Sequence, residues 1–257
     1  MTVKNYGFLS GNALKIIACA LMTVDHVGYI LFPNVIILRI IGRLAFPIFA
    51  FMIAEGVKYT KNKLRYFLLI FVLGTVFQIV TYIYSGDTFM GIFITFSLAI
   101  PLCYAVQFVK RSFLTNNISA PIKALSVLTL VFGLGAVYLI NHYITIDYGF
   151  YGCILPAVTG LFHLGGNTVG ENTISSFEKI KKFDNFHLSV LMLAIGLIGV
   201  WLGGVPLSLK PIQPYSFLAI PLLLLYNGKR GKYNIKFFFY LFYPIHLLII
   251  YCIGLII

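Results

Sequence analysis

Asp25 and His26 stand side by side in "ALKIIACALMTVDHVGYILFP", a stretch whose other residues are almost all apolar. A charge near the bilayer centre costs roughly 2.5–3.5 kcal/mol on insertion scales, so ionisable side chains kept there point to function. An imidazole beside a carboxylate reads as an oriented general base. The carboxylate fixes its tautomer and steadies the charge formed as a proton moves. Next along the chain, "RIIGR" sets Arg39 and Arg43 on one helical face, four residues apart. A guanidinium there could hold an anionic group or stabilise a developing oxyanion. By depth, Asp25 and Arg43 fall at matching levels of adjacent antiparallel spans, which makes them a pair; a plain ion pair joining the two spans is the alternative.

His246, in "FYLFYPIHLLII", falls near the middle of the last apolar run, and Pro244 just before it is expected to loosen the helix and free carbonyls to line a cavity. Glu55 and Lys58 sit at the inner end of the second run, where reaching out to water is the plainer reading. The loop "YNGKRGKYNIK" brings Lys229, Arg230 and Lys232 together between glycines. It reads either as a flexible phosphate grip or as ordinary cytoplasmic charge. There is no serine or cysteine in a nucleophile-elbow context, no HExxH and no glycine-rich phosphate loop. Direct acyl transfer from a carried donor, with a histidine deprotonating the acceptor, needs none of these.

The elements that must position these residues follow from composition. The chain is 60% hydrophobic and 10% charged, with mean hydropathy +0.95, against about 25% charged residues in a soluble domain. Such a chain would expose far too much hydrocarbon in water. Long apolar runs without period-2 alternation predict an all-α, polytopic integral membrane bundle, not a barrel. About nine transmembrane helices are expected, near 13–32, 35–57, 64–84, 89–109, 121–142, 149–164, 187–204, 214–227 and 236–256, the sixth and eighth being short enough to be tilted, broken or re-entrant. Ser10-Gly11-Asn12 is a start signal for the first, which is read as a retained span and not a cleaved leader.

Of 19 basic residues, all but Lys210 and the intramembrane Arg39 and Arg43 fall in loops on one side of this arrangement. The positive-inside rule then puts the amino terminus in the cytoplasm and predicts a multi-pass protein of a bacterial inner membrane. The same rule accounts for the net charge of +12 without a nucleic-acid partner. A polar stretch at 164–186 is expected to act as a cytoplasmic linker between a six-span portion, 1–163, and a three-span portion, 187–257. Cys19, Cys103, Cys153 and Cys252 lie in separate apolar segments, giving neither a disulfide framework nor a metal site.

The blocks "LKIIACALMTVDHVG", "RIIGRLAFPIFAFMIAEGVKYTKN", "DYGFYG", "LLYNGKRG" and "FYLFYPIHLLI" make the chain resemble the TraX family of conjugation-related membrane proteins, and they span nearly its whole length. The resemblance implies acetyl transfer, since the founding TraX protein acetylates the amino terminus of a pilin, and kinship with multispan membrane acyltransferases. By motif it carries over Asp25 and His26, Arg43, Glu55 and His246. The resulting expectation is an acetyltransferase using cytoplasmic acetyl-CoA as co-substrate, without a metal, and an extracytoplasmic amine or hydroxyl acceptor. Lys229, Arg230 and Lys232 would hold the donor; Arg43, Arg39 and Glu55 would serve substrate and oxyanion; His26, backed by Asp25, or else His246, would be the base. Two alternatives compete: a proton-coupled permease with an Asp25–His26–Arg43 relay, and a non-catalytic assembly factor for surface structures.

Overall fold

The computed structural model describes residues 7–86, 88–162, 185–233 and 235–256. Its helices in order are α1 (Gly11–Ile30), α2 (Ile36–Gly42), α3 (Ala45–Tyr59), α4 (Lys63–Ser85), α5 (Ile92–Leu114), α6 (Ala120–Tyr143), α7 (Gly149–Thr159), α8 (Phe186–Gly199), α9 (Ala219–Leu224) and α10 (Lys236–Gly254). A π turn, Val200–Gly204, extends α8, and a 3-10 helix, Gln213–Leu218, leads into α9. Among the described residues the only pairings of β type are isolated bridges. Among the described residues seven apolar helical segments, with α2 and α3 taken together as Ile36–Tyr59, are long enough to cross a membrane, and Gly149–Phe162 and Gln213–Leu224 are shorter apolar segments. These are the same two segments that fell short on residue count alone. The polytopic all-α class is therefore established. The expected linker lies largely outside the described residues.

Local chemistry explains the element ends. Ser10 caps α1 by accepting from the Ala13 amide, and Asn62 caps α4 by accepting from the Arg65 amide. The second apolar run is interrupted at Arg43 and Leu44, dividing it into α2 and α3. Pro47 lies four residues beyond Arg43 and has no N–H to return to the Arg43 carbonyl, so a local break is expected there. Pro244, in contrast, does not interrupt α10, which runs unbroken from Lys236 to Gly254. The predicted loosening before His246 is thus absent, because one missing amide is tolerated when the rest of the helix keeps its bonds.

The chain divides into two compact units, residues 1–52 with 206–257, and residues 53–205. This division differs from the one expected at the linker, since the first and last apolar runs pack together. In the first unit α1 and α10 lie side by side and run in the same direction. At their starting ends, the Gly11 and Asn12 amides donate to the Lys229 and Arg230 carbonyls. At their far ends, Gly254 lies against Ile30 and Leu31. The turn 31–35 then sends α2 back along α1. Close approach of α1 and α2 depends on two glycines: a methyl on Gly28 would meet the Leu38 side chain, and one on Gly42 would overlap Asp25.

In the second unit α5 packs against α4, α6 and α7, and α8 against α7. Ser112 and Ser126 hydrogen-bond between α5 and α6 at 2.7 Å. An open apolar groove of about 380 Å³ lies among Phe71, Ile79, Ile94, Leu98 and Ile140 and contains none of the predicted site residues. Ile83 and Phe132 are more than three-quarters exposed, as expected of positions that meet hydrocarbon.

Gly42→Ala should lower stability by about 1–3 kcal/mol through overpacking. Gly135→Ala, at a position with nothing within 4 Å, should leave it unchanged. Melting temperatures of the two variants in detergent check this; equal values would mean that the approach at Gly42 is not limiting.

Candidate functional site

Adjacent residues of a helix project about 100° apart and do not share a face. Asp25 and His26 accordingly turn to different neighbours. Asp25 faces α2: Arg43 donates through Nη2 to Oδ1 at 2.7 Å and to Oδ2 at 2.9 Å. Arg39 donates through Nη1 to Oδ2 at 2.7 Å and to the Asp25 carbonyl at 3.3 Å. The i, i+4 spacing of "RIIGR" delivers both guanidiniums to one carboxylate. The Arg39 side chain also lies over the Tyr29 ring, 4.9 Å from its centroid. Arg43 is the deepest member, its side chain 5% exposed against 14% for Arg39.

His26 faces α10. Its Nδ1 lies 2.8 Å from Nε2 of His246, and the His246 Nδ1 lies 2.8 Å from the Phe242 carbonyl oxygen. A carbonyl can only accept, so His246 carries its proton on Nδ1. In the neutral ring its Nε2 is then a lone pair, and the shared proton belongs to His26 Nδ1. Nε2 of His26 is consequently the unprotonated nitrogen at the end of the chain. The pair is walled by aromatics: the Phe242 ring stacks on His246 at 4.9 Å, and Tyr243 meets both imidazoles edge-on. His246 is buried, and His26 is half-buried.

Asp25, expected to back His26, faces the arginines of α2 instead, and the two histidines, expected as alternative bases, lie in one hydrogen-bonded chain. Sequence reasoning missed Phe242 and Tyr243. Their positions four and three residues before His246 on one helix were the available signal.

Lys229, Arg230 and Lys232 form an exposed cluster where α1 and α10 begin. The loop carrying them is held in place, not free. The Leu9 amide donates to the Leu225 carbonyl and the Asn227 amide to the Leu9 carbonyl, and the Asn12 side chain donates to the Tyr233 carbonyl at 2.7 Å. Gly228 and Gly231 adopt positive φ at +72° and +106°, which lets the chain reverse around the two basic residues. The first amides of α1 already donate to this loop or to Ser10, so an anion here would be gripped by side chains. Glu55, expected to reach out to water, is instead buried on α3, 7% exposed, within the second unit. Among the described residues no His, Cys, Asp or Glu cluster suits a metal ion.

Fold and site define a multi-pass membrane protein with an intramembrane histidine pair and a separate carboxylate–arginine cluster. The sequence matches the family described as "TraX protein" over residues 10–254, and the chain belongs to that family. It is similar to a "probable fimbrial assembly protein FimC, serogroup H1" of Dichelobacter nodosus, 24% identical over 95% of both chains. It is also 38% identical to an uncharacterized protein of Rickettsia prowazekii (strain Madrid E) over 37% of this chain and 36% of that one. The chain thus matches about a third of the Rickettsia protein's length. No solved structure matches.

Arg43→Ala should destabilise the protein by about 1.5–3 kcal/mol, because Asp25 loses both bonds from Arg43 Nη2 and keeps only Arg39. Arg43→Lys, which keeps the charge but loses the Nε bond to the Arg39 carbonyl, should fall between it and the wild type. Unfolding by denaturing detergent measures the order, and three equal curves would contradict it.

Proposed function

We propose that the protein is a membrane-embedded acetyltransferase that moves an acetyl group from cytoplasmic acetyl-CoA to an amine or hydroxyl of an extracytoplasmic acceptor. The observation that carries this reading is the chain Phe242 carbonyl, His246, His26, which leaves His26 Nε2 with a lone pair inside an apolar helix pair. Such an oriented imidazole suits general-base work.

In this reading His26 Nε2 takes the proton from the acceptor as its nitrogen or oxygen bonds to the thioester carbon. His246 shares the resulting imidazolium charge through Nδ1–H of His26 and so acts as a positioning residue. As the carbon–sulfur bond breaks, His26 returns the proton to the departing thiolate. Arg39 and Arg43 hold Asp25, and with it the register of α1 that aims His26.

The donor's phosphates suit Lys229, Arg230 and Lys232 at the cytoplasmic end. From there His246 lies ten residues along α10, a rise of about 15 Å, and His26 lies fifteen residues along α1, about 22 Å. A long flexible thioester arm between the parallel helices fits that separation. The likeness to a fimbrial assembly protein supports a pilin-type amino terminus, or another surface molecule, as acceptor. A permease relaying protons through Asp25, His26 and Arg43 fits less well, because Asp25 and His26 face different helices.

His26→Ala should reduce acetyl transfer by about 10²–10⁴-fold without unfolding the protein. Labelled acetyl-CoA with purified protein in nanodiscs measures this, and an unaltered rate would remove His26 from the mechanism. Replacing Lys229, Arg230 and Lys232 together by alanine should raise KM for acetyl-CoA and leave kcat near the wild-type value. A change confined to kcat would place the donor's phosphates elsewhere.

A further inference from the structure

Among the described residues most buried polar side chains have partners. Thr95 donates to the Asp147 carbonyl, Ser112 and Ser126 bond to each other, and Thr159 donates to the Leu155 carbonyl. Gln213 and Ser216 differ. Both are 0% exposed, and neither the Gln213 Oε1 and Nε2 nor the Ser216 Oγ has a hydrogen-bond partner. They lie three residues apart on the 3-10 helix Gln213–Leu218, where residues at that spacing eclipse, so they present one face. This helix packs against α2, the helix carrying Arg39, within the unit that holds the histidine pair. A buried donor or acceptor left unmet carries its full desolvation penalty, so an arrangement of three such atoms calls for something that completes it.

We infer that Gln213 and Ser216 are the contact points for a secondary amide of a substrate. A carboxamide offers a donor and an acceptor side by side without charge. A secondary amide matches it at two points, its carbonyl accepting from Nε2 and its N–H donating to Oε1, while the Ser216 hydroxyl donates to the same carbonyl. A phosphate or carboxylate would set its oxygens against Oε1, and an ammonium would set its protons against Nε2. In this inference the amide reaches the buried face by an opening of residues 206–218. That segment is built of short 3-10 turns, whose hydrogen bonds are poorer than those of an α-helix.

The source of the amide rests on the transferase reading: the acyl donor carries amides in its pantetheine arm, and a peptide acceptor carries them in its backbone. The chemistry of the site does not depend on that reading.

The test uses the full chain in nanodiscs with two probes, pantetheine and glycylglycine amide, and reads affinity by calorimetry and melting temperature alone. One probe should bind the wild type, and Gln213→Met should weaken that probe by about tenfold or more, the equivalent of about 1.4 kcal/mol. Ser216→Ala should weaken the same probe. Both variants should melt at or above the wild-type temperature without ligand, because the atoms removed have no partner to lose. Pantetheine binding would assign the amide to the donor, and glycylglycine amide binding to the acceptor. Failure of both probes to bind, unchanged affinity in Gln213→Met, or a lowered melting temperature in both variants would overturn the inference. His26→Ala should bind the probe as the wild type does. Probe binding without any acetyl transfer by the wild type would overturn the transferase reading and leave this site standing. Transfer with unchanged KM for both substrates in Gln213→Met would do the reverse.

Discussion

A carboxylate placed among hydrocarbon must be neutralised by a partner within reach, and in this chain Asp25 meets that requirement with two guanidiniums from one turn of α2. The pairing dictates more than its own geometry. It fixes the depth at which α1 and α2 align, and that alignment brings the Asp25 side chain against Gly42, where only a hydrogen can stand. With Asp25 committed to α2, the helical turn of about 100° between neighbours carries His26 to another face, toward α10. The ion cluster thus aims the imidazole without touching it.

In the histidine pair one ring, held by a backbone carbonyl, orients the other, a position more often filled by a carboxylate. The Phe242 carbonyl fixes the His246 proton, and His246 fixes the His26 proton, each through a 2.8 Å contact. No net charge has to be buried in the resting chain, which suits an apolar setting better than an ion pair would. The cost of charge then arises only when a proton arrives. The parallel course of α1 and α10, tied at one end by the Lys229 and Arg230 carbonyls, places the basic cluster at the starting ends of the two helices that carry the rings.

Several features were legible in the residues. The all-α polytopic class, and the shortness of the segments near 149–164 and 214–227, follow from run length, because a membrane span is set by a fixed thickness. Ser10 as a cap follows from its side-chain oxygen, and the Asp25–Arg43 pair follows from matched depth. The division of the chain was not legible: a polar linker is visible in sequence, but the joining of the first and last helices depends on side-chain packing between residues more than two hundred positions apart. Pro244 signalled a break that the continuous α10 does not make, whereas Pro47 marks one at Arg43. A missing amide permits a break, and neighbouring contacts decide whether it opens.

What the sequence determined by itself was therefore the class of protein and the identity of its ionisable side chains inside the apolar runs, since both depend on composition and local spacing. Tertiary structure alone decided that Asp25 and His26 have separate partners. Asp25 and His26 are consecutive, and every local argument joined them; only the positions of α2 and α10 on either side of α1 assign one to arginines and the other to His246. Hydrogen bonds act over about 3 Å between particular atoms, so residues adjacent in the chain part company when their helix has different neighbours on its two faces.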